Sequence, residues 1–146
     1  MNGRLLGVRT FPGTVEQVAE ARRHVRDLLD RNGHRRAADD AELLTSECVT
    51  NAIRHTLSGS KGGEFAVKAL DLGGSVRIEV LDQGGATTIP ALRGTPDSPT
   101  AVNGRGLHLV EMLAEDWGST PYGPGTITWF LITTEATSPT TRDADV

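Results

Sequence analysis

Glu47 and Asn51 stand one helical turn apart in the run Leu43-Leu44-Thr45-Ser46-Glu47-Cys48-Val49-Thr50-Asn51-Ala52-Ile53-Arg54-His55. Read as a helix, this run lines Leu44, Cys48 and Ala52 along one apolar stripe. Asn51 and His55 project into that stripe, and Glu47 sits on its flank. A carboxylate and an amide on the buried side of a helix cost free energy unless something satisfies them. A neighbouring side chain, a water, or a bound ligand with its metal would each do so. A second carboxylate poses the same question. Val76, Ile78 and Val80 alternate with Arg77 and Glu79, so strand parity puts Asp82 on the apolar row, directed at the helices rather than at water.

These residues need elements to hold them. Phe11-Pro12-Gly13-Thr14 reads as a turn ending in an N-cap, with Glu16 and Gln17 in the first helical turn. Val15, Val18, Val25, Leu28 and Leu29 recur at helical spacing to Arg31, where Asn32-Gly33 stops the helix. A second helix starts near Ala37 and runs through Glu47 and Asn51 to Thr56. Ser58-Gly59-Ser60-Lys61-Gly62-Gly63 is expected to be a flexible loop. Phe65, Val67 and Ala69 mark a strand, Gly73-Gly74 a tight hairpin turn, and residues 76–82 the next strand.

Residues 84–103 are turn-rich, with Pro90, Pro96 and Pro99 and no sustained period. So long an unstructured stretch inside a compact domain is more often a functional lid than an idle loop. Gly104-Arg105-Gly106 opens a short helix through Leu107, Val110 and Leu113. Strands at residues 117–120 and 126–133 close the domain, joined by Pro121-Tyr122-Gly123-Pro124-Gly125. The order helix, helix, strand, strand, loop, helix, strand, strand is no βαβ alternation. It predicts an α+β two-layer sandwich, with helices on one face of a mixed, mostly antiparallel sheet.

With 146 residues the chain suits one domain with a real core. Residues 1–133 are read as that domain, and the Thr-, Ser- and Asp-containing stretch from 134 to 146 as a disordered tail. Hydrophobic residues make up 37% and charged residues 23%, an ordinary soluble composition, and no apolar run suffices to span a bilayer. The N-terminus does not read as a signal peptide, so the expected location is cytoplasmic. A net charge of −4 argues against non-specific attraction to nucleic acid. The single cysteine, Cys48, excludes an internal disulfide or a cysteine zinc site and fits a small buried hydrophobe.

Lys61 lies in a glycine-rich loop without the spacing of a P-loop. The segment Gly104-Arg105-Gly106-Leu107-His108-Leu109 lacks the third glycine of the dinucleotide fingerprint and follows no strand. The histidines lack metal-ligand spacing, and His55 reads as a packed core or rim residue rather than a catalytic one. Arg22, Arg23, Arg26, Arg31, Arg35 and Arg36 form either a solvated outer face or a docking face for an acidic partner. For Glu47 the bland alternative is an ion pair with a nearby arginine such as Arg54.

Four elements, in this order, resemble the GHKL-type (histidine kinase-like) ATP-binding domain with the Bergerat-type fold. The nearest likeness is to its single-domain branch, the anti-sigma factor serine/threonine kinases related to bacterial RsbW and SpoIIAB. Glu47-Cys48-Val49-Thr50-Asn51-Ala52 resembles the N box, and Asp82-Gln83-Gly84-Gly85 the first glycine box. Asn103-Gly104-Arg105-Gly106-Leu107 resembles the second glycine box, and Gly125-Thr126-Ile127-Thr128-Trp129-Phe130 the closing strand. The likeness spans about residues 9 to 133.

The resemblance implies ATP and Mg²⁺ as cofactors. It assigns Asp82 to the adenine amine, supported by Thr126, with Gly84 letting the backbone approach the base. Gly104, Gly106 and the adjoining Leu107 would cradle the phosphates, with Arg105 an extra charge, and Asn51 would hold the metal. Glu47 would be the general base on the attacking hydroxyl. The partners implied are a sigma factor and an anti-anti-sigma (STAS) protein, with a homodimer as the assembly and no direct contact with nucleic acid or membrane. A non-catalytic ATP-dependent binding switch is the alternative function. The pattern departs from the family at Ala86, which occupies the second glycine position of the first box, and in the short, proline-containing segment between the boxes.

Overall fold

The computed structural model describes residues 3–85 and 112–134. Its elements are β1 (Arg4–Pro12), α1 (Gln17–Arg31), α2 (Arg35–His55), a 3₁₀ turn (Leu57–Gly59), β2 (Glu64–Asp71), β3 (Ser75–Asp82), β4 (Asp116–Tyr122) and β5 (Gly125–Thr133). The strands form one sheet in the order β1-β2-β3-β5-β4, and every ladder is antiparallel. Both helices lie on one face: α1 packs over β1 and β2, α2 over β3 and β5. This is the two-layer α+β sandwich expected, with an antiparallel rather than a mixed sheet.

Hydrophobic pattern explains the layers. The inward row of β3 (Val76, Ile78, Val80) meets the inward rows of β2 (Phe65, Val67, Ala69) and β5 (Phe130, Ile132), all buried. Ala21, Val25, Leu28 and Leu29 of α1 close over them with Leu44, Cys48 and Val49 of α2. Ala37, Ala38 and Ala41 keep α2 thin where α1 crosses it. Arg26 reaches from α1 to Asp39 and Glu42 of α2, and Arg22 also pairs with Glu42. Arg23 pairs with Glu20 and Arg31 with Asp27. Four of the six clustered arginines thus balance acids of this chain rather than presenting a bare basic face.

Several local expectations need correction. β1 has no counterpart in the order of elements expected from the sequence. Its alternation is broken by a bulge between Leu5 and Gly7, and Phe11-Pro12, taken for a turn, pairs with Glu64 and Phe65 as an edge strand. Thr14 is not the N-cap of α1: the helix begins at Gln17 without a side-chain cap. Thr14 closes a backbone turn instead, and Val15 is 72% exposed rather than part of the core face. α2 starts at Arg35, two residues before Ala37. The glycine-rich stretch after α2 is built rather than loose, since its Ser58 is fully buried. The Gly73-Gly74 hairpin forms as expected, closed by Leu72 N–H donating to Ser75 O at 2.9 Å.

Candidate functional site

Between α2 and the ends of β3, β4 and β5 lies a cavity of about 140 Å³. A cavity of that order accepts a flat ring system. Its walls follow from register. Asp82 pairs with Thr126, and Val80 with Thr128, which pairs in turn with Ser119 of β4. All five line the cavity from the sheet. Cys48, Asn51, Ala52, His55 and Thr56 line it from the helix, at the spacing of one helical face. Gly84, Gly85 and Pro124 form the rim.

The Asp82 carboxylate is oriented by the chain itself: Gly84 N–H donates to its Oδ1 at 2.7 Å. Gly84 sits at φ +75°, and a β-carbon there would come within 1.8 Å of Pro124 O. A β-carbon on Gly125 would lie 1.9 Å from Asp82 O. Both glycines are therefore required for the end of β3 to pass against the β4–β5 turn, the approach that places Asp82 beside Thr126.

Asn51 faces the cavity, and its side-chain amide has no hydrogen-bond partner among the described residues. Glu47 is half-buried one turn earlier, outside the cavity wall, and makes no hydrogen bond or ion pair among the described residues. The alternative pairing with Arg54 is not formed. Thr126, Thr128 and Ser119 also line the cavity, and their hydroxyls have no hydrogen-bond partner among the described residues. Sequence reading missed Thr128 and Ser119. The period-two spacing of Thr126 and Thr128 could have revealed the first, but only the β4–β5 register reveals the second.

Burial pushes the Cys48 thiol up to about 12, with the Glu47 charge adding to it, so this sulfur is a neutral part of the floor. Burial, then the Arg54 charge, holds His55 below its ordinary value, so a neutral imidazole stands at the rim. Among the described residues no group of three or more His, Cys, Asp or Glu side chains could hold a metal. A cation held chiefly by phosphate oxygens and water needs only one or two protein oxygens, and the unpartnered Asn51 amide fits that need. Gly104, Arg105, Gly106 and Leu107, with most of the expected lid, lie outside the described residues.

A family model described as "Histidine kinase-like ATPase domain" matches residues 11–131 of the 146. The chain belongs to that family. Among curated proteins none matches the chain. The histidine kinase-like ATPase match includes α2, Asp82 and Thr126, and hence the cavity just described. It begins at Phe11, leaving most of β1 outside it, in the part of the chain where sequence pattern was also least legible. No helix among the described residues of this ATPase domain is long and apolar enough to cross a membrane.

Proposed function

We propose that the protein is an Mg-ATP-binding bacterial regulator, an anti-sigma factor with serine/threonine-protein kinase activity on an anti-anti-sigma (STAS) partner. The observation that carries the reading is the cavity in which Asp82 and Thr126 share one rung of the sheet while Asn51 faces them from α2. Asp82 accepts the hydrogens of the adenine amine, a group guanine replaces with an oxygen. Thr126 supports that contact, and Gly84 admits the base edge. The cavity takes the base, and the motif likeness assigns the phosphates to Gly104, Arg105, Gly106 and Leu107, with Asn51 beside them through the metal.

Asn51 would hold Mg²⁺ through its amide oxygen, and the ion would supply charge neutralisation of the phosphates. Glu47, one turn further from the base, accepts the proton of the partner's hydroxyl as that oxygen bonds to the γ-phosphorus and ADP leaves. Its lack of an internal partner suits a base that must face substrate. A homodimer belongs to the same reading. The sheet face away from the helices, which no other described element covers and where Leu70, Leu81, Ile127 and Leu131 surround the internally paired Lys68, Glu79 and Arg77, supports it. A non-catalytic ATP-gated binding switch is the second reading, favoured by the position of Glu47 outside the cavity wall.

Calorimetry with Mg-ATP tests the binding step, and absence of adenine-nucleotide binding would sink the whole reading. Transfer of labelled phosphate to a STAS partner tests the chemistry. Wild type is expected to transfer, and Glu47→Gln to bind ATP but transfer roughly 10²–10⁴-fold more slowly. Equal transfer by both would end the role of Glu47; binding without transfer by either would select the switch.

A further inference from the structure

The helix that carries Asn51 and the strand end that carries Asp82 are joined by a clasp at the edge of the cavity, where Thr56 lines it and Ser58 does not. At the end of α2, Thr56 turns extended, and its hydroxyl donates to Ala52 O at 2.7 Å, one residue beyond Asn51. The same hydroxyl oxygen accepts Ser58 N–H at 3.0 Å. Ser58 Oγ then accepts Gln83 N–H, the residue after Asp82, at 3.0 Å. A second bond runs alongside, from Leu57 N–H to Gly84 O at 2.8 Å. Both hydroxyls are buried, Ser58 completely, so each bond is made away from competing water.

Ser58 does not line the cavity. Its hydroxyl is a buried polar group whose described partner is the backbone immediately after Asp82. The two strand ends need no such help to stay together, because Asp82 already pairs with Thr126 in the sheet. What the clasp adds is a fixed position of the C-terminal turn of α2 relative to that sheet edge.

We infer that Thr56 and Ser58 are positioning residues that set the spacing between the base-binding edge at Asp82 and the metal- and phosphate-binding amide at Asn51. The inference rests on the adenine-nucleotide reading of the cavity. A ligand with two linked halves gains affinity only when both subsites stand at the separation its own bonds dictate. Adenosine fills only the base cavity between α2 and the sheet, whereas Mg-ATP must also reach the metal that Asn51 would hold. The clasp therefore matters more to Mg-ATP than to adenosine, and its effect is read in the ratio of their affinities.

The test measures both ligands, adenosine by ligand-observed NMR and Mg-ATP by calorimetry, on wild type, Ser58→Ala, Thr56→Val and Thr56→Ser. Ser58→Ala and Thr56→Val are expected to lower the ratio of Mg-ATP affinity to adenosine affinity by roughly tenfold. Thr56→Ser, which keeps the hydroxyl, is expected to keep the wild-type ratio. Should Ser58→Ala fail to fold, the Thr56 pair decides alone. Equal weakening of both ligands, or no weakening of Mg-ATP in folded variants, would overturn the positioning role. If wild type bound neither ligand, the nucleotide reading itself would fall, and the inference with it.

Discussion

Asp82 works as an acceptor because one of its oxygens is already committed. Gly84 N–H holds Oδ1, and an asparagine in its place would keep its carbonyl oxygen on that N–H and turn its NH₂ towards the ligand. Two donors would then face each other at the adenine amine. Asp82→Asn is expected to weaken ATP by roughly 10- to 100-fold, the cost of leaving a buried donor unsatisfied, with little change in melting temperature; calorimetry and a thermal melt check the two parts. Glu47 makes the opposite kind of residue. It has no bond to lose among the described residues, and its charge raises the neighbouring Cys48 thiol. Glu47→Gln is thus expected to retain wild-type thermal stability while losing phosphoryl transfer. A large fall in melting temperature would mean that the carboxylate serves the fold.

At the scale of elements, the site exists because two strand ends pass closer than any side chain allows. Gly84 and Gly125 face each other's backbone across the β3–β5 rung. Gly84→Ala would drive a β-carbon into Pro124 O at 1.8 Å from a backbone that also has φ +75°. Neither strain can be relieved by rotating a side chain. The variant is expected to lose about 1–3 kcal/mol of stability to backbone strain, measured by urea unfolding, and to lose ATP binding in the fraction that remains folded. By contrast Gly123→Ala, at φ +58° with no atom near the added carbon, should cost stability without affecting binding. The pair of variants separates backbone strain from obstruction of the site.

For the whole molecule, the buried titrating groups make acid the destabilising direction. Burial holds His24 below its ordinary value against the hydrogen bond to Val67 O, and burial with Arg54 does the same to His55. Below about pH 6.5 the unfolded chain takes up protons that the folded chain refuses, so stability falls as pH drops from neutrality towards the lowered folded-state values. Asp71 adds to this at lower pH. Gly73 N–H, then His34, holds its carboxyl below the usual carboxylate range, a contribution present above about pH 3.8 and lost as pH falls through the depressed value. Melting temperature is expected to decline in two stages on acidification. His24→Gln should flatten the first stage, and an unchanged slope would remove His24 from the account.

What the sequence by itself determined is whatever depends on spacing within one element. Helical periodicity placed Asn51, His55 and Cys48 on one face of α2, and strand alternation turned Asp82 inward beside Val80; each rests on a local period of 3.6 or 2. The order of the described helices and strands after Pro12 and the motif likeness to the ATPase family followed from the same local signals. Tertiary structure decided what depends on residues far apart in the chain. β1 became legible only through its pairing with β2, because the bulge at Leu5 and Gly7 erases the alternation that would have announced it. Ser119 entered the cavity only because β4 pairs with β5 in the register that sets it beside Thr128. The buried Ser58 looked like part of a loose glycine-rich loop, since its decisive partner lies 25 residues away at Gln83. Periodicity reports which way a side chain points; which distant backbone it meets is settled when helix and sheet pack around a shared core.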